Sequence, residues 1–228
     1  MYRDNVILLT GAFTGIGRAL TRLYMKERAR LLAVGRNDDQ EIPSFAGHYL
    51  PIVRDIRTDE DAEDVVDFTL EKYHRIDRIV HCAGSLQVKT VQELRRGDLE
   101  RAMTDNFYTA AHITRHALRK MRPQRTGHFI FLDDSRFEQS MNGFAAHLAA
   151  KSALRGFVDV LRNELADTNF CISLLELPPV DSHYWDAAED LPCPQDAISV
   201  NEAARRIFEL GHDGASAIQP SASMQSSA

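Results

Sequence analysis

Four apolar residues, Val6, Ile7, Leu8 and Leu9, run straight into Thr10-Gly11-Ala12-Phe13-Thr14-Gly15-Ile16-Gly17. An amphipathic stretch over residues 16–28 follows at once, with Ile16, Leu20, Leu23 and Tyr24 on one side. A short apolar run, a glycine-rich turn and a helix within about 30 residues form a strand–turn–helix unit that opens a parallel sheet. Glycines at such a turn let the backbone approach a pyrophosphate, whose charge then lies at the positive end of the helix dipole. A turn rich in glycine with no ligand is the plainer alternative, and the flanking strand and helix argue against it.

The same alternation continues along the chain. Apolar runs at residues 31–34, 49–53, 78–82, 128–132 and 170–175 read as strands two to six. Between them lie helical patterns at 58–74, 98–121 and 143–165, with one more at 201–210 and a short strand at 217–219. The segment joining the second and third strands has about 14 residues and contains Pro43, barely above the roughly 12 that a parallel crossover needs, so its helix is short or absent. This pattern predicts an α/β fold: one Rossmann-like, doubly wound parallel sheet in three α/β/α layers. One domain is expected over residues 1–220, with a flexible tail at 221–228.

Composition closes off other classes. The 228 residues carry 27 basic and 33 acidic side chains, a net charge of −6, and no basic run longer than Arg95-Arg96, which argues against nucleic acid as partner. No stretch approaches the 18 or so apolar residues of a membrane span, and residues 6–9 are too few for a secretory core. The three cysteines, Cys82, Cys171 and Cys193, are far apart with no CxxC, so a reducing, cytoplasmic setting is expected.

The Gly-x-x-x-Gly-x-Gly spacing resembles the short-chain dehydrogenase/reductase family, and the resemblance extends in order over residues 6–182. Asp55-Ile56 looks like the family's adenine-contacting pair after the third strand, and His81-Cys82-Ala83-Gly84 its Asn-Asn-Ala-Gly after the fourth. Pro178-Pro179-Val180-Asp181-Ser182 looks like the Pro-Gly motif after the sixth. The resemblance implies a nicotinamide cofactor held by Gly11, Phe13, Thr14, Gly15, Ile16, Gly17, Asp55, Ile56, Cys82, Ala83, Gly84, Lys151, Pro178, Val180 and Ser182. At the end of the second strand stands Arg36 where an NAD-preferring site has a carboxylate, which favours NADP(H) over NAD(H). Arg18 could add to this, whereas Asp38 and Asp39 nearby argue the other way.

Catalysis in the resembled family uses Asn, Ser, Tyr and Lys. Asn106 and Lys151 match, but His147 stands at the Tyr position and Asp134 at the Ser position, with Ser135 one residue later. The resemblance implies hydride transfer between NADP(H) and a small carbonyl or alcohol. On that resemblance Lys151 would hold the ribose, His147 would be the proton donor or acceptor, Asn106 would order water, and Asp134 or Ser135 would face the substrate. Imidazole is a capable acid/base, but its ring stops roughly 2 Å short of a phenol oxygen, against a transfer distance of about 2.6–3.2 Å. An Asp134–His147 pair would be a base, suited to oxidation or proton abstraction. The alternatives are a degenerate nucleotide binder acting as sensor or structural partner, and a non-redox isomerase or dehydratase using His147 and Asp134.

His112 and His116 have metal-ligand spacing, yet no third ligand is apparent, and an exposed or interfacial pair is the expectation; no metal is assigned. Six acids between Asp59 and Asp67 read as a solvated helix face, and Cys82 as a buried, inert thiol. His183, Tyr184 and Trp185 follow the Pro-Pro pair, where aromatic side chains suggest a flat or apolar substrate. The two long helices are the surfaces through which family members pair, so a homo-oligomer, dimer or tetramer, is expected.

Overall fold

The structure is a computed structural model, and it describes residues 2–36, 48–134, 142–187 and 192–210. Six strands form one sheet: β1 (Val6–Thr10), β2 (Arg30–Gly35), β3 (Tyr49–Val53), β4 (Arg78–His81), β5 (Thr126–Asp134) and β6 (Asn169–Leu177). Their order is β3-β2-β1-β4-β5-β6, and every pairing is parallel. This is the doubly wound arrangement that the alternating pattern predicts, and its order reverses between β1 and β4. Ligands of such sheets lie at that switch point, outside the carboxyl ends of the strands.

Burial on both faces explains why the strands read as unbroken apolar runs. Ile7, Leu9, Leu31, Ala33, Val80 and Ile130 face one way, toward α1 (Gly15–Lys26) and α6 (Val200–Glu209). Leu8, Leu32, Val34, Ile79, Phe129 and Phe131 face the other way, toward α2 (Asp59–Tyr73), α4 (Thr109–Met121) and α5 (Ala145–Glu164). Thr58 caps α2, its hydroxyl accepting from Asp61 N while the Asp61 carboxylate accepts from Thr58 N, and His74 ends it in the left-handed conformation.

The helix expected over residues 98–121 departs from its pattern. It is α3 (Arg96–Met103) joined to α4 through one π turn at Thr104–Tyr108, with Asn106 inside that turn. Such single-turn expansions mark functional sites often enough to be informative. A two-residue parallel pair, β7 (Val180–Asp181) with β8 (Ile198–Ser199), ties the chain after β6 back toward α6. The predicted strand at 217–219, the tail at 221–228 and the crossover between β2 and β3 lie outside the described residues, except for their flanks.

The histidine and acid expectations for α2 and α4 need correction. His116 is buried, and Asp59 bridges it (3.0 Å) to His112 (3.0 Å) while also pairing with Arg115. Glu63 and Asp67 pair with Lys120. One side of the acidic stretch is therefore the α2–α4 seam rather than open water. Helical spacing alone could not show this, because the partner helix lies some 50 residues away in sequence. Among the described residues no group of His, Cys, Asp and Glu could hold a metal ion.

Candidate active site

The turn after β1 is shaped by three glycines that serve different ends. A Cβ on Gly17 would lie 2.0 Å from Gly11 O, and one on Gly11 would lie 2.8 Å from the Cys82–Ala83 peptide. Both glycines are thus demanded by the packing of the turn on itself and on β4. Gly15 differs: its φ is +43°, and a Cβ there would meet only Ser182 Cβ at 3.8 Å. Its bare face leaves space open in front of the first turn of α1, where backbone N–H groups lack helical partners. That is the cradle an anion needs, so the turn fits a dinucleotide pyrophosphate.

Two cavities flank this turn at the carboxyl ends of the strands. The smaller, about 590 Å³, is lined by Gly11, Phe13 and Thr14 of the turn, by Arg36, Arg54, Asp55 and Ile56 after β2 and β3, and by Cys82, Ala83 and Gly84 after β4. The larger, about 1060 Å³, begins at Gly15, Ile16 and Gly17, shares Cys82 to Gly84, and reaches Asn106, Asp134, Lys151, Val180 and Ser182. The sequence-derived cofactor residues therefore come together around one continuous crevice, with one exception. Pro178 lines neither cavity, and its neighbour Pro179 does. Ser135 lies outside the described residues.

The catalytic candidates are arranged in a chain. His147 Nε2 lies 3.1 Å from Asp134 Oδ2, and the same oxygen lies 3.9 Å from Lys151 Nζ, which donates to Leu132 O at 3.1 Å. An ionised carboxylate only accepts, so Nε2 of His147 carries the proton in this pair. His147 has no exposed surface and lines neither cavity, whereas Asp134 and Lys151 open onto the larger one. The group that faces the crevice at the expected Tyr position is thus the Asp134 carboxylate, with the imidazole packed behind it and edge-on to Phe144. Burial raises the Asp134 pKa, but the Lys151 charge, the His147 hydrogen bond and Arg155 outweigh it and hold the carboxyl below its ordinary range.

Neighbouring groups are locked by other bonds. Asp133, fully buried, pairs with Arg155 and accepts from Asp134 N at 2.9 Å, which fixes the end of β5. Asn106 donates both amide hydrogens to backbone, to Ser85 O at 2.9 Å and Ala102 O at 3.0 Å, and accepts from Ser85 N at 3.3 Å. Its side chain therefore clamps the loop after β4 onto the π turn, a different use from the water ordering that resemblance implies. His81 stacks on Phe131 and shares a 3.1 Å hydrogen bond with Thr114; burial pushes its pKa down to about 3, so it is a neutral ring. Cys82 is half-buried and lines both cavities, and desolvation raises its thiol pKa far above the ordinary value.

Sequence reasoning missed several lining residues. Leu154, Leu177 and Trp185 give the larger cavity an apolar far wall, and the Trp185 indole donates to Val180 O at 3.0 Å. Arg54 lines the smaller cavity beside Arg36. Its signal was the register between β2 and β3, which strand runs alone do not give.

The comparisons with known proteins agree with this architecture. The family model described as short chain dehydrogenase matches residues 5–190, and the chain belongs to that family. Among curated relatives, 3-ketodihydrosphingosine reductase of Mus musculus is 25% identical over 187 residues, covering 77% of this chain. The chain spans 56% of that reductase's length. An 11-beta-hydroxysteroid dehydrogenase-like protein of Arabidopsis thaliana is 27% identical over 95% of this chain and 74% of its own. Among solved structures, a short-chain dehydrogenase from Streptomyces avermitilis superimposes with a TM-score of 0.80 at 23% identity, over 92% of this chain and 85% of that one. A short-chain oxidoreductase from Thermus thermophilus gives 0.72 at 27% identity, over 89% and 94%. The family uses nicotinamide cofactors.

Proposed function

We propose that this chain is an NADP(H)-dependent oxidoreductase that interconverts an apolar secondary alcohol and its ketone, with Asp134 as the proton-transferring group. The observation that carries this reading is the Asp134–Lys151 pair opening onto a cavity that begins at the glycine turn. A bound nicotinamide supplies a hydride donor or acceptor. Lys151, which lines the cavity 3.9 Å from Asp134, would hold the ribose. Asp134 takes the hydroxyl proton, and His147, donating to it from behind, keeps the carboxylate oriented. Because the Asp134 pKa is held low, the carboxylate form dominates at neutral pH and can only accept a proton, which suits it to the alcohol side of the reaction. A carboxylate facing a developing alkoxide opposes the reverse step.

The apolar wall of Leu154, Leu177 and Trp185 supports an apolar substrate. The names of the relatives, a 3-ketodihydrosphingosine reductase and an 11-beta-hydroxysteroid dehydrogenase-like protein, point to the same apolar character. Arg36 supports NADP(H), since a guanidinium lining the smaller cavity suits a 2′-phosphate. The test is a panel of secondary alcohols with NADP⁺, read by nicotinamide absorbance, for wild type and Asp134→Asn. Turnover that the variant loses by about 10²-fold or more supports the reading; turnover unchanged in the variant overturns it.

A second reading, a nucleotide binder without turnover, is favoured by one observation: the side chain at the Tyr position has no exposed surface. The double variant His147→Tyr, Asp134→Ser separates the two. Carbonyl reduction appearing from an inactive start supports the second reading, and loss of an existing oxidation supports the first. A homo-oligomer is also part of the proposal, supported by Leu99, Tyr108 and Val160 exposed on α3, the π turn and α5. Light scattering on the purified protein tests it. Among the described residues no helix is long and apolar enough to cross a membrane, and a cytoplasmic setting is proposed from cysteine usage alone.

A further inference from the structure

Three side chains on α5, His147, Lys151 and Arg155, are spaced four residues apart, which stacks them along one face of the helix. Each meets an acid at the end of β5. His147 and Lys151 meet Asp134, at 3.1 and 3.9 Å, and Arg155 Nε pairs with Asp133 Oδ2. The first two pairs are the catalytic chain. The third stands outside it: among the described residues neither Arg155 nor Asp133 lines either cavity.

Asp133 shares the helix-facing side of β5 with Phe129 and Phe131, by the period of two along a strand, and its side chain has no exposed surface. A charge buried to that degree is costly without a partner of opposite sign. Arg155 supplies that partner while 32% of its own side chain stays exposed. The other Asp133 oxygen accepts from Asp134 N at 2.9 Å. A carboxylate acceptor makes such a hydrogen bond charge-assisted, roughly twice as strong as a neutral one. Against burial, which raises the Asp134 pKa, the charges of Lys151, His147 and Arg155 hold it below the ordinary range. Arg155 therefore bears on Asp134 mainly through the backbone bond that Asp133 makes, and secondarily through its charge.

We propose that Arg155 and Asp133 are positioning residues for the proton transfer at Asp134: Arg155 anchors the buried Asp133 carboxylate, and Asp133 pins the Asp134 backbone so that its carboxylate stays in front of His147 and Lys151. This rests on the reading of Asp134 as the proton-transferring group and extends it to residues outside the cavities. Neither residue meets the substrate, so losing either should slow turnover and leave KM little changed. Because Arg155 acts mainly through Asp133, the two losses should not add.

Two readouts on the full chain test it. The first needs no substrate: the NMR shift of the Asp134 amide proton, with the Ile130 amide in the middle of β5 as control. Arg155→Gln should move the Asp134 signal upfield, as its hydrogen bond weakens, and leave Ile130 in place. Asp133→Asn keeps the side-chain shape and should give the same shift, which covers the case of an Arg155→Gln protein that does not fold. The second is oxidation of an alcohol accepted by wild type. Each variant should lower kcat roughly tenfold or more with KM little changed, and the double variant should lose no more than the worse single one. A merely structural Arg155 would lower the melting temperature and leave both the amide shift and kcat at their wild-type values, which overturns the inference. Losses that multiply in the double variant overturn it as well. If Asp134→Asn abolishes turnover and Arg155→Gln does not slow it, the Asp134 reading stands and the positioning role falls. If wild type oxidises no alcohol, both fall, whatever the amide does.

Discussion

Replacing Asp134 with asparagine keeps the shape of the side chain and removes its charge, so its effect measures what the His147–Asp134–Lys151 chain contributes. Two interactions change. The 3.1 Å bond from His147 Nε2 loses its charge assistance, and Lys151, its side chain 11% exposed, loses the anion 3.9 Å away and keeps Leu132 O as its partner among the described residues. At an effective dielectric of 20 a pair near 4 Å attracts by about 4 kcal/mol, and desolvation offsets a large part of it. A charge-assisted hydrogen bond contributes about 1.5–3 kcal/mol. A net loss of about 2 kcal/mol is expected at neutral pH, equivalent to a fall in Tm of roughly 4–8 °C for a chain of this size.

The pH dependence gives the sign. The folded Asp134 pKa lies below the ordinary value of 3.8. Its contribution is therefore fully present above about pH 5 and is lost as pH falls through the folded value, below about 4. Urea unfolding of both proteins at neutral pH and along the acid limb is the assay. Wild type should be more stable at neutral pH, with the gap closing in acid. A variant as stable as wild type at neutral pH would refute the charge chain.

The remaining predictions concern the frame of the site. Gly17→Ala drives a Cβ to 2.0 Å from Gly11 O and should destabilise by about 3 kcal/mol or more, measured by urea unfolding. Gly15→Ala should fold, at a cost of roughly 1–2 kcal/mol for its positive φ, and lose nucleotide affinity. Equal effects of the two on stability would contradict the separate roles assigned to them. Arg155→Met leaves the buried Asp133 carboxylate without its cation and should cost about 3 kcal/mol. Stability unchanged in that variant would mean that Arg155 does not hold the end of β5.

The fold was readable because each strand here is buried on both faces, so residues 6–9 and 31–34 stand out as unbroken apolar runs. The glycine turn, Arg36 and Lys151 are likewise local signals, set by residue type at fixed spacing. What was not readable depends on contacts distant in sequence. Nothing in Thr104–Tyr108 announces a π turn, which is supported by Asn106 reaching Ser85 and by Thr109 donating to Ile56 O at 3.0 Å. The burial of His116 depends on α2, and the appearance of both Arg36 and Arg54 at the smaller cavity depends on the pairing of β2 with β3. At the site itself, the pairing of His147 with Asp134 was one of two arrangements the sequence allowed. The withdrawal of the imidazole behind the carboxylate depends on how α5 packs, which buries His147 completely.

The central claim is that the crevice around the glycine turn binds a nicotinamide dinucleotide carrying a 2′-phosphate. Equilibrium titration with NADPH and with NADH tests it most directly, by calorimetry and by the fluorescence of Trp185, the single tryptophan, which lines the larger cavity. Binding on the order of micromolar, tighter for NADPH, is the predicted result. Binding of neither nucleotide would contradict the account and leave the fold as a scaffold without its cofactor.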